Sequence, residues 1–195
     1  MLKKILKDEL LIGNFLSNLL CSLSYPTIHY VLIKDVGEKM ISLNSIIVCI
    51  GGIIFPMFWN KYSDRLYKKY GYLLTLEGIL YSLLTIAVIF GAVNNKFYYL
   101  ADTLLFAVIT KNIICGSNKL RALRYKEKER EEYDNNVGIV ANVSSLLGFT
   151  ISFLINLNTN VAFLILGVGL IIDNIFNYKA YKCSIKRLEK QTVKE

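Results

Sequence analysis

The sequence has little of what an enzyme or a zinc protein needs. It holds one histidine, His29, and four cysteines, Cys21, Cys49, Cys115 and Cys183. No CxxC pair and no Cys/His cluster occurs, which disfavours both a disulfide framework and a metal site. A rhomboid-like protease needs its serine and histidine on later spans, whereas His29 lies in the first apolar run. Cys21 and His29 stand eight positions apart, about 12 Å along a helix axis, a poor thiol–imidazole pair. No DGxxAR-type phosphotransferase motif is present. The expectation is a protein that is not an enzyme and carries no cofactor. Charge is scarce too. Charged residues make up 19% of the 195-residue chain, against about a quarter in soluble domains.

Apolar residues take the place of the missing charge. They form 54% of the chain, and the mean hydropathy is +0.42. They gather into six runs, at about 10–33, 41–59, 72–93, 98–117, 137–155 and 160–178. Each run is near the ~20 residues that cross a bilayer as a helix. The fold expected is therefore all-α: one polytopic membrane domain of six transmembrane helices. Lys3, Lys4 and Lys7 before the first run superficially resemble a signal peptide. Asp8, Glu9 and five further runs favour a retained first span.

The basic residues are unevenly placed. If successive loops alternate sides, one side receives three from the N-terminus, four from loop 60–71, six from loop 118–136 and six from tail 179–195. That is 19 of the 23 lysines and arginines. The other side receives Lys34, Lys39 and Lys96. Such asymmetry puts both termini in the cytoplasm. The net charge of +8 then reads as a topology signal with some attraction to anionic lipid, and nucleic acid is not an expected partner. Loop 118–136 mixes both signs and reads as amphipathic or mobile surface.

Several polar residues interrupt the runs. Asn14, Asn18, Ser22, Tyr25 and His29 recur at helical spacing, so they share one stripe that faces the bundle or a water-filled cavity. Interhelical hydrogen bonding and a ligand-facing wall are both open readings. Pro26 removes one backbone donor nearby. Glu77 lies in the third run, Asp102 and Lys111 in the fourth, and Asp173 near the end of the sixth. An intramembrane lysine needs a carboxylate or an anionic ligand, which makes Lys111 the leading functional candidate. Glu77 and Asp173 are its possible partners, as proton carriers or as groups that snorkel to the interface. His29 is a titratable group or a hydrogen-bonded one. Small residues form two further stripes: Ser42, Ser45, Cys49 and Gly52 in the second run, and Gly138, Ala141, Ser145, Gly148 and Ser152 in the fifth. These are helix-packing faces, since small side chains let backbones approach closely.

The loop between the second and third runs carries a family resemblance. Asp64, Arg65, Lys68 and Lys69 match the charged positions of the cytoplasmic motif of the major facilitator superfamily. Asn60 and Tyr67 stand where that motif has glycine. The stretch 13–36 with Pro26, and the segment Gly116-Ser117-Asn118-Lys119-Leu120-Arg121-Ala122 leading into Glu129-Arg130, also resemble family sequences. The resemblance spans nearly the whole chain, as the N-terminal six-span half of the family's usual twelve. A vitamin-binding subunit of an energy-coupling-factor transporter would share six spans but would not explain the loop.

The resemblance implies secondary transport of a small molecule, proton-coupled and efflux-like. It implies that Asp64, Arg65, Lys68 and Lys69 form a gating latch, although basic residues would also hold the loop inside by charge alone. It implies that the first and fourth spans line the cavity, with Thr103, Ala107, Thr110 and Lys111 on one face of the fourth. Some drug–proton antiporters of the family place a basic residue there, but their glycine spacing is not reproduced. In the family, the second and fifth spans abut the opposite half. A second copy of this chain, or another six-helix half, would supply it. The alternatives are an accessory, immunity or regulatory membrane protein, or a transporter remnant.

Overall fold

The computed structural model describes residues 9–66, 70–110, 113, 125 and 127–192. Six α-helices account for nearly all of them: α1 (Glu9–Val36), α2 (Glu38–Leu66), α3 (Tyr70–Ile89), α4 (Asn95–Leu105), α5 (Glu127–Leu154) and α6 (Thr159–Thr192). A π-helical turn, Phe106–Thr110, continues α4. No strand occurs among the described residues. The helices outrun the apolar runs because strong helix formers flank them. The charged stretch 127–136 opens α5, and the basic tail extends α6 to Thr192.

The connections are tight where the sequence supplies turn chemistry. Gly37, at φ +84°, separates α1 from α2, and Gly91, at φ +68°, follows α3. Both occupy the left-handed conformation that ends helices and that glycine adopts without a Cβ clash. Asn94 caps α4 by accepting the Phe97 N–H at 2.8 Å, and Asn158 accepts the Asn160 N–H at 2.9 Å as α6 begins.

Among the described residues, α3, α5 and α6 are long and apolar enough to cross a membrane. The pair α1 and α2, bent by 113° at Gly37, passes the same test as a unit and makes a fourth candidate. The polar stripe dilutes α1, and α4 changes to π geometry after 11 residues.

Every helix reverses the direction of the one before. Val36, Met40 and Ile41 from the first turn, Val93, Tyr98 and Tyr99 from the second, and Ala162 and Phe163 after the third share one apolar cluster. At the opposite end Tyr70 packs with Ile113 and Tyr181. Helix α1 is central, packed on α5 and α6, while α3 packs on α6. Exchanging α1–α3 with α4–α6 turns the α1/α5 interface into α2/α4 and α1/α6 into α3/α4. The α1/α4 and α3/α6 interfaces map onto themselves.

Glycines set the closest approaches. On the α3/α6 seam, Gly71 faces Tyr181, Gly78 faces Asn174, and Thr85 faces Gly167. Both helices advance seven residues between contacts, the repeat that keeps a left-handed pair face to face. A Cβ on Gly148 of α5 would stand 2.6 Å from the Leu19 carbonyl oxygen on α1. In the exchanged interface, a Cβ on Gly51 of α2 would stand 2.8 Å from Ala107 Cβ in the π turn. In lipid, where apolar burial gives little drive, such backbone proximity is a main source of helix association.

Candidate functional site

The α3/α6 seam carries Glu77 into the interior, at 6% exposure. Its carboxylate accepts two hydrogen bonds from different helices. Thr110 Oγ1, at the end of the π turn, donates to Oε1 at 2.6 Å. Asn174 Nδ2, on α6, donates to Oε2 at 3.3 Å. Tyr81 follows one turn after Glu77 on α3 and lies near Thr110 and the Asp102 carboxylate of α4. The result is a hydrogen-bonded polar chain, Thr110–Glu77–Asn174, from the π turn through α3 to α6, with Tyr81 and Asp102 nearby.

The surroundings are polar on one side and apolar on the other. Asp173 adds a negative charge near Glu77 and accepts a 2.9 Å bond from Asn177 Nδ2. Tyr25 and Cys21 of α1, with Tyr98 of α4, lie close enough to Asp102, Tyr81 or one another to interact electrostatically. Among the described residues no lysine or arginine pairs with Glu77, Asp102 or Asp173. A buried carboxylate is costly unless it is hydrogen-bonded or neutralised, and Glu77 is hydrogen-bonded at both oxygens. No group of three or more His, Cys, Asp and Glu side chains forms a metal cluster among the described residues.

The sequence candidates distribute unevenly around this chain. Glu77 belongs to it, Asp102 lies nearby, and Tyr25 lies near Asp102. Asn14 and Asn18 are half-buried, and Asn18 Nδ2 bonds locally to the Asn14 carbonyl at 2.8 Å. Ser22 is buried beside Gly148. His29 is exposed, with its ring 5.5 Å from that of Tyr25. Asp64 and Arg65 lie on the last helical turn of α2, with their side chains outside the described residues, as are Lys68, Lys69 and Lys111 altogether.

Of the packing stripes, Ser45 and Cys49 are exposed and Gly52 is half-buried. Its neighbour Gly51 makes a close approach, to Ala107. Ala141 and Ser145 are half-buried, and Gly148 is buried against α1. Tyr81, Asn174 and Asn177 escaped the sequence reading. Their signal was present: Tyr81 stands four residues after Glu77, and Asp173, Asn174 and Asn177 cluster in an otherwise apolar run.

No family model, no curated protein and no solved structure matches this chain.

Proposed function

We propose that this protein is a six-span membrane protein of facilitator type, one half of a secondary transporter, and that it moves a small molecule in exchange with protons. The observation that carries this reading is the buried Glu77 carboxylate, hydrogen-bonded by Thr110 and Asn174 and without a basic partner among the described residues. A protein that only anchors a partner needs an outer binding face. It has no use for a buried Glu77 with Asp102 and Asp173 half-buried in the same bundle, where carboxyls cost stability.

The packing pattern supports the family reading. Facilitator halves are built from two nested three-helix inverted repeats, and the α1–α3 and α4–α6 interfaces exchange in that manner. Alternating helix directions and the basic loops favour an orientation with both termini in the cytoplasm of the cell membrane. The apolar face of α2, with Ile46, Ile50 and Ile53 exposed beside Ser45 and Cys49, suits contact with a second copy that completes the cavity. Asp64, Arg65, Lys68 and Lys69 act as the cytoplasmic latch, with charge-assisted bonds broken on opening.

The direct test is flux. Purified protein in liposomes holding a proton gradient, followed with a pH-sensitive dye, should dissipate the gradient when a transported compound from a panel of amphipathic molecules is added. Glu77→Gln should abolish the response. A panel that never dissipates the gradient would move the reading to an accessory membrane protein.

A further inference from the structure

We propose that the groove between α3 and α6 holds one acyl chain of an anionic phospholipid whose phosphate sits at Lys179 and Lys182. The groove has a volume of about 600 Å³, and its lining takes Ile79 and Leu83 from α3 and Ile171 and Ile175 from α6. All four are exposed. The small residues Thr75, Gly78 and Ser82 also line it and leave the room between the helices. The two hydroxyls already donate within α3, Thr75 Oγ1 to the Gly71 carbonyl at 3.0 Å and Ser82 Oγ to the Gly78 carbonyl at 2.6 Å. The groove therefore presents hydrocarbon, which suits a chain and not a polar solute or an ion.

Its length and its ends point to a lipid. From Leu74 to Leu83, both in the lining, the α3 axis advances about 14 Å. That is close to half of the ~30 Å hydrocarbon core, the depth that a chain of one leaflet reaches. The seam pairs Gly71 with Tyr181 and Gly78 with Asn174, so Tyr178 and Lys179, which also line the groove, stand at its Leu74 end. There the face of α6 that carries Ile171 and Ile175 continues at helical spacing through Tyr178 to Lys182 and Lys186, all exposed. An apolar face that ends in tyrosine and then turns basic marks a membrane–water interface. Lys179 Nζ lies over the Phe176 ring at 5.2 Å, and Lys182 Nζ over the Tyr178 ring at 4.8 Å. Cation–π attraction thus holds both ammonium groups at the mouth of the groove.

Charge selects among the occupants. A lipid phosphate gains charge-assisted bonds from the two lysines, worth roughly fivefold in affinity for each lysine near the surface. A zwitterionic headgroup brings its own ammonium and loses part of that gain. A second copy fits less well. A two-fold axis along the membrane normal would set the lysine rows of both copies at one level, like charge against like. The site goes beyond the transport reading and requires only that α3 and α6 cross the bilayer, for which both are long and apolar enough. Asn174 lines the groove and donates to Glu77 Oε2, so a chain in the groove lies one side chain away from the buried carboxylate.

Native mass spectrometry of the full-length protein, released from detergent that contains either dioleoylphosphatidylglycerol or dioleoylphosphatidylcholine, tests the site without flux. The wild type should retain phosphatidylglycerol about fivefold or more tightly than phosphatidylcholine. Lys179→Gln combined with Lys182→Gln should bring the first lipid down to the level of the second. Ser82→Phe, which fills the groove, should weaken retention of both, and Lys96→Gln, at the opposite end of the bundle, should change neither. A phosphatidylglycerol with a diazirine on its acyl chain should cross-link to the α3 and α6 peptides that hold Ile79 and Ile175. Equal retention of the two lipids by the wild type, or an undiminished preference in the double lysine variant, overturns the inference. So do disulfide-linked dimers that form only with Ile79→Cys, since they would seat a second copy in the groove.

Discussion

The α1/α5 and α2/α4 interfaces occupy equivalent places in the bundle and are built differently. Both come together at a glycine. On α5, Gly148 meets the continuous backbone of α1 at Leu19 and Leu23. On α2, Gly51 meets Ala107, which lies in a π turn rather than a regular helix. The first contact is part of a long interface that also buries Leu11, Tyr133 and Val140. Among the described residues the second makes fewer contacts, and much of α2 is exposed. The same packing device thus serves a rigid joint in one place and a looser one in the other. Thr110, in the same π turn as Ala107, turns its hydroxyl to Glu77. A π turn is a common device for aiming a functional side chain, and here it delivers α4 to the polar chain.

This contrast can be broken by substitution. The largest effect is expected at the rigid joint. Gly148→Leu must displace backbone atoms of α1 and should cost about 3 kcal/mol or more, read as loss of folded protein on gel filtration in mild detergent. Gly51→Leu presses on Ala107 at a joint with fewer other contacts among the described residues. It should cost about 1–2 kcal/mol by thermal unfolding; an equal loss at both sites would erase the distinction.

A smaller effect separates the polar chain from hydroxyls that bond within one helix. Thr110→Val strands a buried carboxylate oxygen and should cost about 1–3 kcal/mol. Ser144→Ala removes a hydroxyl bonded to the Val140 and Ala141 carbonyls of its own helix and should cost about 1 kcal/mol or less. Equal unfolding midpoints for these two variants would remove Thr110 from its linking role.

The mildest change is Gly138→Ala, where an added Cβ meets nothing within 4 Å. Helix propensity alone predicts a gain of about 0.5–1 kcal/mol, and a loss would show that this face is occupied by another chain. Thiol reactivity completes the comparison. A membrane-permeant maleimide should label exposed Cys183 on α6 faster than buried Cys21 on α1, and equal rates would mean that α1 is not the central helix.

Much of this was legible in the sequence. The apolar runs fall on helices, of which three, or four with the bent α1–α2 pair, are long and apolar enough to cross a membrane among the described residues, and the small-residue stripe of the fifth run located Gly148. Glu77 and Asp102 stood out because a carboxylate inside an apolar run is rare. The stripe on the second run pointed to Gly52, and its neighbour Gly51 makes a close approach to Ala107 that the stripe did not include. The α3/α6 seam was hidden because Gly71 lies where the charged loop was expected, and its heptad register appears only when both helices are paired. Tyr81 and Asn174 were missed because neutral polar residues are tolerated in membrane helices. Their role depends on which helix faces them. The π turn has no sequence signature here.

The central claim is that this chain is one half of a transporter, completed by a second copy. Single-molecule photobleaching of protein labelled at the tail and held in a native-like bilayer tests it most directly. Two bleaching steps per particle are predicted across the range of densities at which random co-occupancy is negligible. Single steps throughout would contradict the account, leaving six helices with a polar interior and no opposing half.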